Sequence, residues 1–202
     1  MQTLNLRYAT GDDAARIAGI INEVSEGAVE ALLGNMVPGL SAEKILELAL
    51  GRGIEPYALR NVLLAEYGDV LAGMVFFYPD EYQQIPEIMG TMIRGDRIEA
   101  LKPLLEAKTG DSLWINTLWV NPELRGGGLA DLLIDAVEND ARERSFRHLA
   151  LHCWADNARA LKFYARMGFA EAGHIRTGGE LEKSHPAGGL LLLRAVAQSN
   201  AS

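Results

Sequence analysis

Two rhythms of apolar residues take turns along this chain. Stretches that alternate apolar with polar positions, or run apolar between turn residues, predict strands. Seven such stretches occur: "LNLRYAT" (Leu4 to Thr10), "NVLLAEY", "VLAGMVFFY", "SLWINTLWV", "HLALHCW", "FAEAGHIRT" and "GLLLLRAV". Gly68-Asp69, a turn dipeptide at hairpin spacing, joins the second to the third. Apolar positions three and four apart predict helices between the strands. Ala14, Ile17, Ala18, Ile21 and Val24 share one face behind a cap expected at Asp12. A second helical segment runs from about Gly27 to Leu33 and breaks at "GNMVPG". A third starts at Ser41, carries Ile45, Leu46, Ala49 and Leu50 on one face, and stops at Gly51. A long helix carries Leu129, Leu132, Leu133, Ala136, Val137 and Ala141, and another opens at Asn157 and closes at Gly168 as its C′ glycine.

The stretch from Pro79 to Ser112 is long for a loop, so it should hold structure or function of its own. Ile98, Leu101, Leu104 and Leu105 predict a short helix inside it, entered near Asp96. Strands and helices are mixed in order, with no repeat, low-complexity tract or linker. The expectation is one α/β domain over residues 1–202, with the 79–112 segment inserted between the third and fourth strands.

Composition narrows the class of function. The 202 residues are 49% hydrophobic and 23% charged, as in an ordinary globular protein. A net charge of −8 argues against a nucleic-acid partner. Cys153 is the single cysteine, so no intrachain disulfide can form and a reducing compartment is expected. The N-terminus has neither the basic nor the apolar region of a signal peptide. "LLLL" (Leu190 to Leu193) falls far short of the ~20 residues of a membrane span. These readings point to a cytoplasmic enzyme or binding protein away from the membrane.

The candidate chemistry starts at "NPELRGGGLADLL", where Gly126, Gly127 and Gly128 stand directly before a helix. Glycine is costly to order, by roughly 0.5–1 kcal/mol relative to alanine, so bare backbone must be needed there. The first amides of a helix lack intrahelical partners, and the helix dipole favours an anion beside them. Arg125 can add a charge-assisted bond to a phosphate. A flexible turn, or close packing of helix on sheet, explains three glycines equally well. A nucleoside-triphosphate loop is excluded because no G-x-x-x-x-G-K-[ST] occurs. A dinucleotide fingerprint would need glycine where Asp131 stands.

"LWVNPELRGGGLADLLID" resembles the acetyl-coenzyme A motif of the GNAT N-acetyltransferase superfamily, [QR]-x-x-G-x-[GA]. Arg125, Gly128 and Ala130 occupy its fixed positions. "NARALKFYARMGF" (Asn157 to Phe169) resembles the family's asparagine helix, tyrosine and Gly-Phe ending, and "LRYATGDDAARIAGI" its first strand and helix. The three matches occur in family order from Leu6 to Phe169. The resemblance implies a mixed, mostly antiparallel sheet of about seven strands, splayed between the fourth and fifth, with helices on both faces. It implies acetyl-CoA as acyl donor and no metal. Pantetheine would pair with backbone of Leu118, Trp119 and Val120, and the pyrophosphate would sit on amides of Arg125, Gly126, Gly127, Gly128, Leu129 and Ala130. Asn157 would bond the pantetheine arm, and Tyr164, seven residues on along the same helical face, would protonate the departing thiolate. A tyrosine of ordinary pKa about 10 is protonated at neutral pH and suits that work. The alternative for this pair is a plain N-cap and a core aromatic.

The acceptor implied is an amine, on a small molecule or a peptide, acetylated by direct transfer in a ternary complex. Glu23, Glu26, Glu81, Glu87, Asn116 and His152 can all be placed near a cleft mouth as base or relay, and spacing distinguishes none of them. His148 and His152 lie on one strand about 13 Å apart, too far for one metal. Cys153 beside His152 reads as a small buried hydrophobe, since adjacent strand residues face opposite ways. The 79–112 segment holds Tyr82, Met89, Met92, Arg94 and Arg97, and forms either a wall of the acceptor pocket or an oligomer contact such as a homodimer's. Two other classes compete with the enzyme: a non-catalytic acyl-CoA-binding or sensing domain of the same fold, and a structural protein with no affinity for coenzyme A.

Overall fold

The computed structural model describes residues 3–85 and 87–197, with backbone alone at Ile88 and Met89. The Met89 side chain named above therefore lies outside the described residues. In chain order the elements are β1 (Leu4–Tyr8), α1 (Ala14–Val24), α2 (Ala28–Leu33), α3 (Ala42–Arg52), β2 (Val62–Tyr67), β3 (Val70–Pro79), α4 (Glu87–Gly90) and α5 (Gly95–Leu105). There follow β4 (Ser112–Val120), α6 (Leu129–Glu143), β5 (His148–Trp154), α7 (Ala158–Arg166), β6 (Ala170–Ile175), α8 (Gly179–Ser184) and β7 (Gly189–Ala195). All seven strands join one sheet in the order β1-β2-β3-β4-β5-β7-β6. Every pairing is antiparallel except β4 with β5.

That parallel pair is short. Ser112 to Ile115 pair with His148 to Leu151, and then the strands part. Asn116 sits at the parting as a bulge, because Ile115 faces Phe77 while Thr117 already faces Phe76. A bulge bends its strand and sharpens the local twist, which opens the sheet along the outer half of β4. The expected splay between the fourth and fifth strands is thus present.

Side chains alternate across the sheet and make two cores. On one face Trp114 and Ala150 pack with α1 and α3; on the other Leu113, Ile115, Leu149 and Leu151 pack with Leu129, Leu133, Ile134 and Val137 of α6. Helix α6 approaches so closely that a Cβ added at Gly73 would lie 3.0 Å from Leu133 Cδ1 and 3.0 Å from the Trp119 carbonyl oxygen. Gly73 therefore sets how α6 seats against the open half of β4. At the far edge, Arg7 reaches Asp13 and Glu66, both at 2.8 Å, and ties the entry of α1 to β2.

Helix boundaries depart from expectation in two places. The backbone amide of Thr10 donates to Asp13, not Asp12, at 2.8 Å, with a turn of 3-10 helix between Thr10 and α1. Helix α3 runs past Gly51 to Arg52 and ends on Gly53, which takes the left-handed conformation at φ +64°. Ser41 caps α3 as expected, its Oγ accepting from the Lys44 amide at 3.1 Å.

The segment between β3 and β4 carries α4 and α5. Its ends are clipped together: the Thr109 amide donates to the buried Asp80 carboxylate at 3.2 Å. Gln83 caps the far end of α5 by donating to the Leu104 carbonyl at 3.1 Å, one of the orphan acceptors of a helix C-terminus. Its Oε1 accepts from the Tyr78 hydroxyl at 2.7 Å, and that hydroxyl accepts from Asn116 Nδ2 at 3.1 Å. A polar chain, buried at Tyr78 and Gln83, thus runs from the exposed Asn116 at the bulge in β4 to the end of α5. Among the described residues, no helix is long and apolar enough to cross a membrane.

Candidate active site

The open edge of β4 leads straight to the glycine turn. Leu118, Trp119 and Val120 pair with β3 on one side and have no strand on the other. Trp119 Nε1 is buried there without a hydrogen-bond partner. Asn121 then caps a short 3-10 turn, accepting from the Glu123 amide at 3.1 Å, and its own amide donates to Ala72 at 2.8 Å. The chain enters α6 through Gly126 at φ +88° and Gly128 at φ +80°. Only glycine adopts that backbone without strain, and a Cβ at either position would stand in open space. Gly127 has an ordinary φ, so two of the three glycines answer a conformational need. Gly128 occupies the N-cap position with no side chain to cap α6. The amides that open this helix thus face a bare approach, the arrangement that receives an anion. Arg125 folds back so that its Nε donates to the Val120 carbonyl at 3.2 Å.

Helix α7 supplies the opposite wall. Asn157 is its N-cap, the Oδ1 accepting from the Ala160 amide at 3.1 Å. Arg159 and Arg166 stand on the wall of the same cavity, Arg166 paired with Asp131 at 2.8 Å. Sequence reasoning passed over both arginines. Their spacing of seven repeats that of Asn157 and Tyr164 and was a legible signal.

Two cavities meet here. An outer one of about 590 Å³ is lined by Leu118, Trp119, Val120, Arg125, Gly126, Gly128, Leu129 and Ala130; of the expected coenzyme residues on the turn, only Gly127 is not on its wall. An inner one of about 280 Å³ lies between α1, α2, α5 and the open strands. Val24, Glu26, Leu118, Asn157, Ala160 and Tyr164 line both. Tyr164 is half-buried at this waist, and burial holds its phenol above the ordinary tyrosine value, with the neighbouring Cys153 adding to the effect. Its ring also packs against Phe163 and Phe169, so its place as an aromatic of the core and its place at the waist coexist.

Of the six candidate bases, Glu23 lines the outer cavity, Asn116 and His152 the inner one, and Glu26 both; Glu81 and Glu87 line neither. His152 stacks edge-on with Trp114 at 4.7 Å, and burial pushes its pKa down to about 3. A group that releases its proton so readily is poorly matched to abstraction near neutral pH. Cys153 has its thiol pushed up to about 11 by burial, with Glu26 and Asp156 adding, which leaves it unreactive.

Glu26 is held in an unusual way. It is not glycine, yet its φ is +48°, a left-handed conformation that persists only where surroundings fix it. His185 supplies that hold: its Nε2 lies 3.3 Å from the Glu26 carbonyl oxygen, its Nδ1 3.0 Å from Asp156, and its ring stacks on Trp154 at 4.1 Å. The Glu26 carboxylate accepts from Asn157 Nδ2 at 3.1 Å. Ligand atoms of Glu26, Asp156 and His185 lie within 4.8 Å of one another, and both ring nitrogens of the histidine are engaged within the protein.

A family model for acetyltransferases of the GNAT family matches residues 42–169. The chain belongs to the GNAT family. No curated protein matches it by sequence. Among solved structures, an N-acetyltransferase from Staphylococcus aureus Mu50 is 20% identical with a TM-score of 0.69, covering 94% of this chain and 99% of its own. A further acetyltransferase structure is also 20% identical, TM-score 0.66, covering 96% and 100%. A spermidine N-acetyltransferase from Vibrio cholerae, in complex with CoA and spermine, is 16% identical with a TM-score of 0.58, covering 96% and 95%. At these identities the likeness establishes a shared GNAT fold.

Proposed function

We propose that the protein is an acetyl-CoA-dependent N-acetyltransferase that moves an acetyl group to a primary amine by direct transfer. One observation carries this reading: an unpaired strand edge runs into a bare glycine turn, and a tyrosine stands where two cavities meet. The donor set fits coenzyme A. Leu118, Trp119 and Val120 would receive the pantetheine arm as an added strand, by backbone hydrogen bonds. Amides from Arg125 to Ala130 would hold the pyrophosphate at the head of α6, with the Arg125 guanidinium beside them. Asn157 retains one unused N–H for the same arm.

Acetyl-CoA supplies the thioester carbonyl that the amine attacks. Tyr164 keeps its proton at working pH and delivers it to sulfur at the waist. The outer cavity holds the donor and the inner one the acceptor, so the nitrogen meets the carbonyl with no covalent acyl-enzyme step. Cys153, the one nucleophile of that kind in the chain, is buried and held as a thiol.

The test pairs calorimetric titration of coenzyme A with thiol release from acetyl-CoA across a panel of amines. Binding together with amine-dependent release is the expected result. Binding without release by any amine would favour the sensing domain, and no binding would remove both readings.

A further inference from the structure

The charge inside the inner cavity limits what it can hold. Glu26 is the single charged side chain on its wall among the described residues, and no lysine or arginine lines it. An acceptor that carried a carboxylate would lose its hydration there without a counter-charge. A polyamine would bring a second ammonium with no second carboxylate to meet it. The rest of the wall is uncharged and mostly apolar: Val29, Leu32, Leu101, Leu105 and Trp114 line it, and its polar members, among them Gln83, Asn116 and Thr117, are neutral. The volume, about 280 Å³, is nearly twice that of a dry protein cavity of about 150 Å³ that accommodates benzene. A ring or branched chain on a short linker fits that space. The buried, unpartnered Nε2 of His152 on the same wall offers the occupant one polar contact.

We propose that the inner cavity takes a small hydrophobic monoamine, its apolar body between α2, α5 and Trp114 and its ammonium at the Glu26 carboxylate. This rests on the acetyl-transfer reading and names the acceptor class for it. Glu26 and Tyr164 both line the waist, so a nitrogen bound at Glu26 lies where the inner cavity opens to the outer one. The ammonium gives up two protons in all. The first passes through Glu26 to solvent before attack. The second leaves nitrogen once the N–C bond has formed, and it replaces the proton that Tyr164 gives to sulfur as the C–S bond breaks. His185 acts as a positioning residue, holding the Glu26 backbone in its left-handed turn.

The experiment measures kcat/KM with acetyl-CoA for 2-phenylethylamine, tyramine and isopentylamine against spermidine, glutamate and a peptide with a free N-terminus. Octanoyl-CoA is compared with acetyl-CoA as donor. The hydrophobic monoamines should exceed every polar acceptor by at least tenfold. Glu26→Gln keeps an oxygen for Asn157 but removes the charge; it should raise KM for 2-phenylethylamine at least tenfold, a larger factor than any change in the calorimetric Kd of coenzyme A. Val29→Phe, which fills the cavity, should raise KM for 2-phenylethylamine by a larger factor than KM for ethylamine. Preference for spermidine, glutamate or the peptide would overturn the proposal. So would preference for octanoyl-CoA, which would make the cavity an acyl pocket, or coenzyme A binding with no amine acetylated. Absence of coenzyme A binding would remove the acetyl-transfer reading itself, and this proposal with it.

Discussion

The side-chain amide of Asn157 donates to the Glu26 carboxylate at 3.1 Å, across 131 residues of sequence. The same side chain caps α7 through its oxygen, so it does two jobs with its two ends. Serine caps a helix about as well as asparagine but has no N–H to spare for Glu26. Asn157→Ser should therefore stay within about 0.5 kcal/mol of wild-type stability. KM for the amine and Kd for coenzyme A should both rise, because Asn157 lines both cavities. Thermal unfolding and steady-state kinetics check the two halves separately. Wild-type constants for both substrates would show the tether to be idle.

Tyr164 is the proposed acid, and Tyr164→Phe removes one hydroxyl while keeping the ring against Phe163 and Phe169. Coenzyme A affinity should hardly change, while kcat should fall by about 10²–10⁴, the range of a positioned general acid. Burial favours the neutral phenol, so its ionisation is displaced upward from the ordinary value of about 10. The protonated form therefore persists throughout the range below pH 10, and kcat should show no decline there that Tyr164→Phe abolishes. Wild-type turnover in the variant would refute the acid role.

Gly128 tests the anion cradle. Valine there would be forced into a left-handed conformation, at a cost of roughly 1–2 kcal/mol, but it would meet no neighbouring atom. Gly128→Val should thus remain folded and lose coenzyme A binding, since the new side chain projects into the approach to the α6 amides. Arg125→Ala should weaken binding less. A charge-assisted bond contributes roughly 1.5–3 kcal/mol and less where solvent screens it, and backbone donors remain. Titration calorimetry on both variants decides, and an unchanged Kd for Gly128→Val would sink the cradle.

Much of this site could be read from the chain because its parts are local. The glycine turn lies between one strand and the next helix, and Asn157 and Tyr164 sit on a single helix, so short-range periodicity and turn chemistry place them in the fold, while the coenzyme and acid roles rest on the family resemblance. Asp13 and Gly53 were missed in favour of Asp12 and Gly51 because a cap depends on the φ and ψ of one residue, which pattern does not resolve between close neighbours. Glu26 could not be singled out from other glutamates. Its distinguishing features are a left-handed backbone and a histidine 159 residues away, and neither leaves a periodic trace. The same holds for Gln83, whose side-chain partners come from two separate elements, β3 and α5.

The polar chain through Gln83 joins the proposed acceptor cavity to the segment that walls it. Gln83→Leu would leave the Tyr78 hydroxyl without its acceptor and the Leu104 carbonyl without its donor. A buried polar group left unpaired costs about 1–3 kcal/mol, so the variant should lose stability on that scale. Replacing Tyr78 as well, in Tyr78→Phe/Gln83→Leu, removes the orphaned hydroxyl and should recover part of the loss, giving a double-mutant coupling of at least about 0.5 kcal/mol. Gln83 lines the inner cavity and not the outer. Loosening the end of α5 should consequently raise KM for the amine while leaving the coenzyme A Kd in place. Chemical denaturation of the wild type, the two single variants and the double variant measures the coupling, and kinetics separate the substrates. Additive losses would mean that the two residues act independently, and a matched rise in the coenzyme A Kd would mean that the segment does not serve the acceptor side alone.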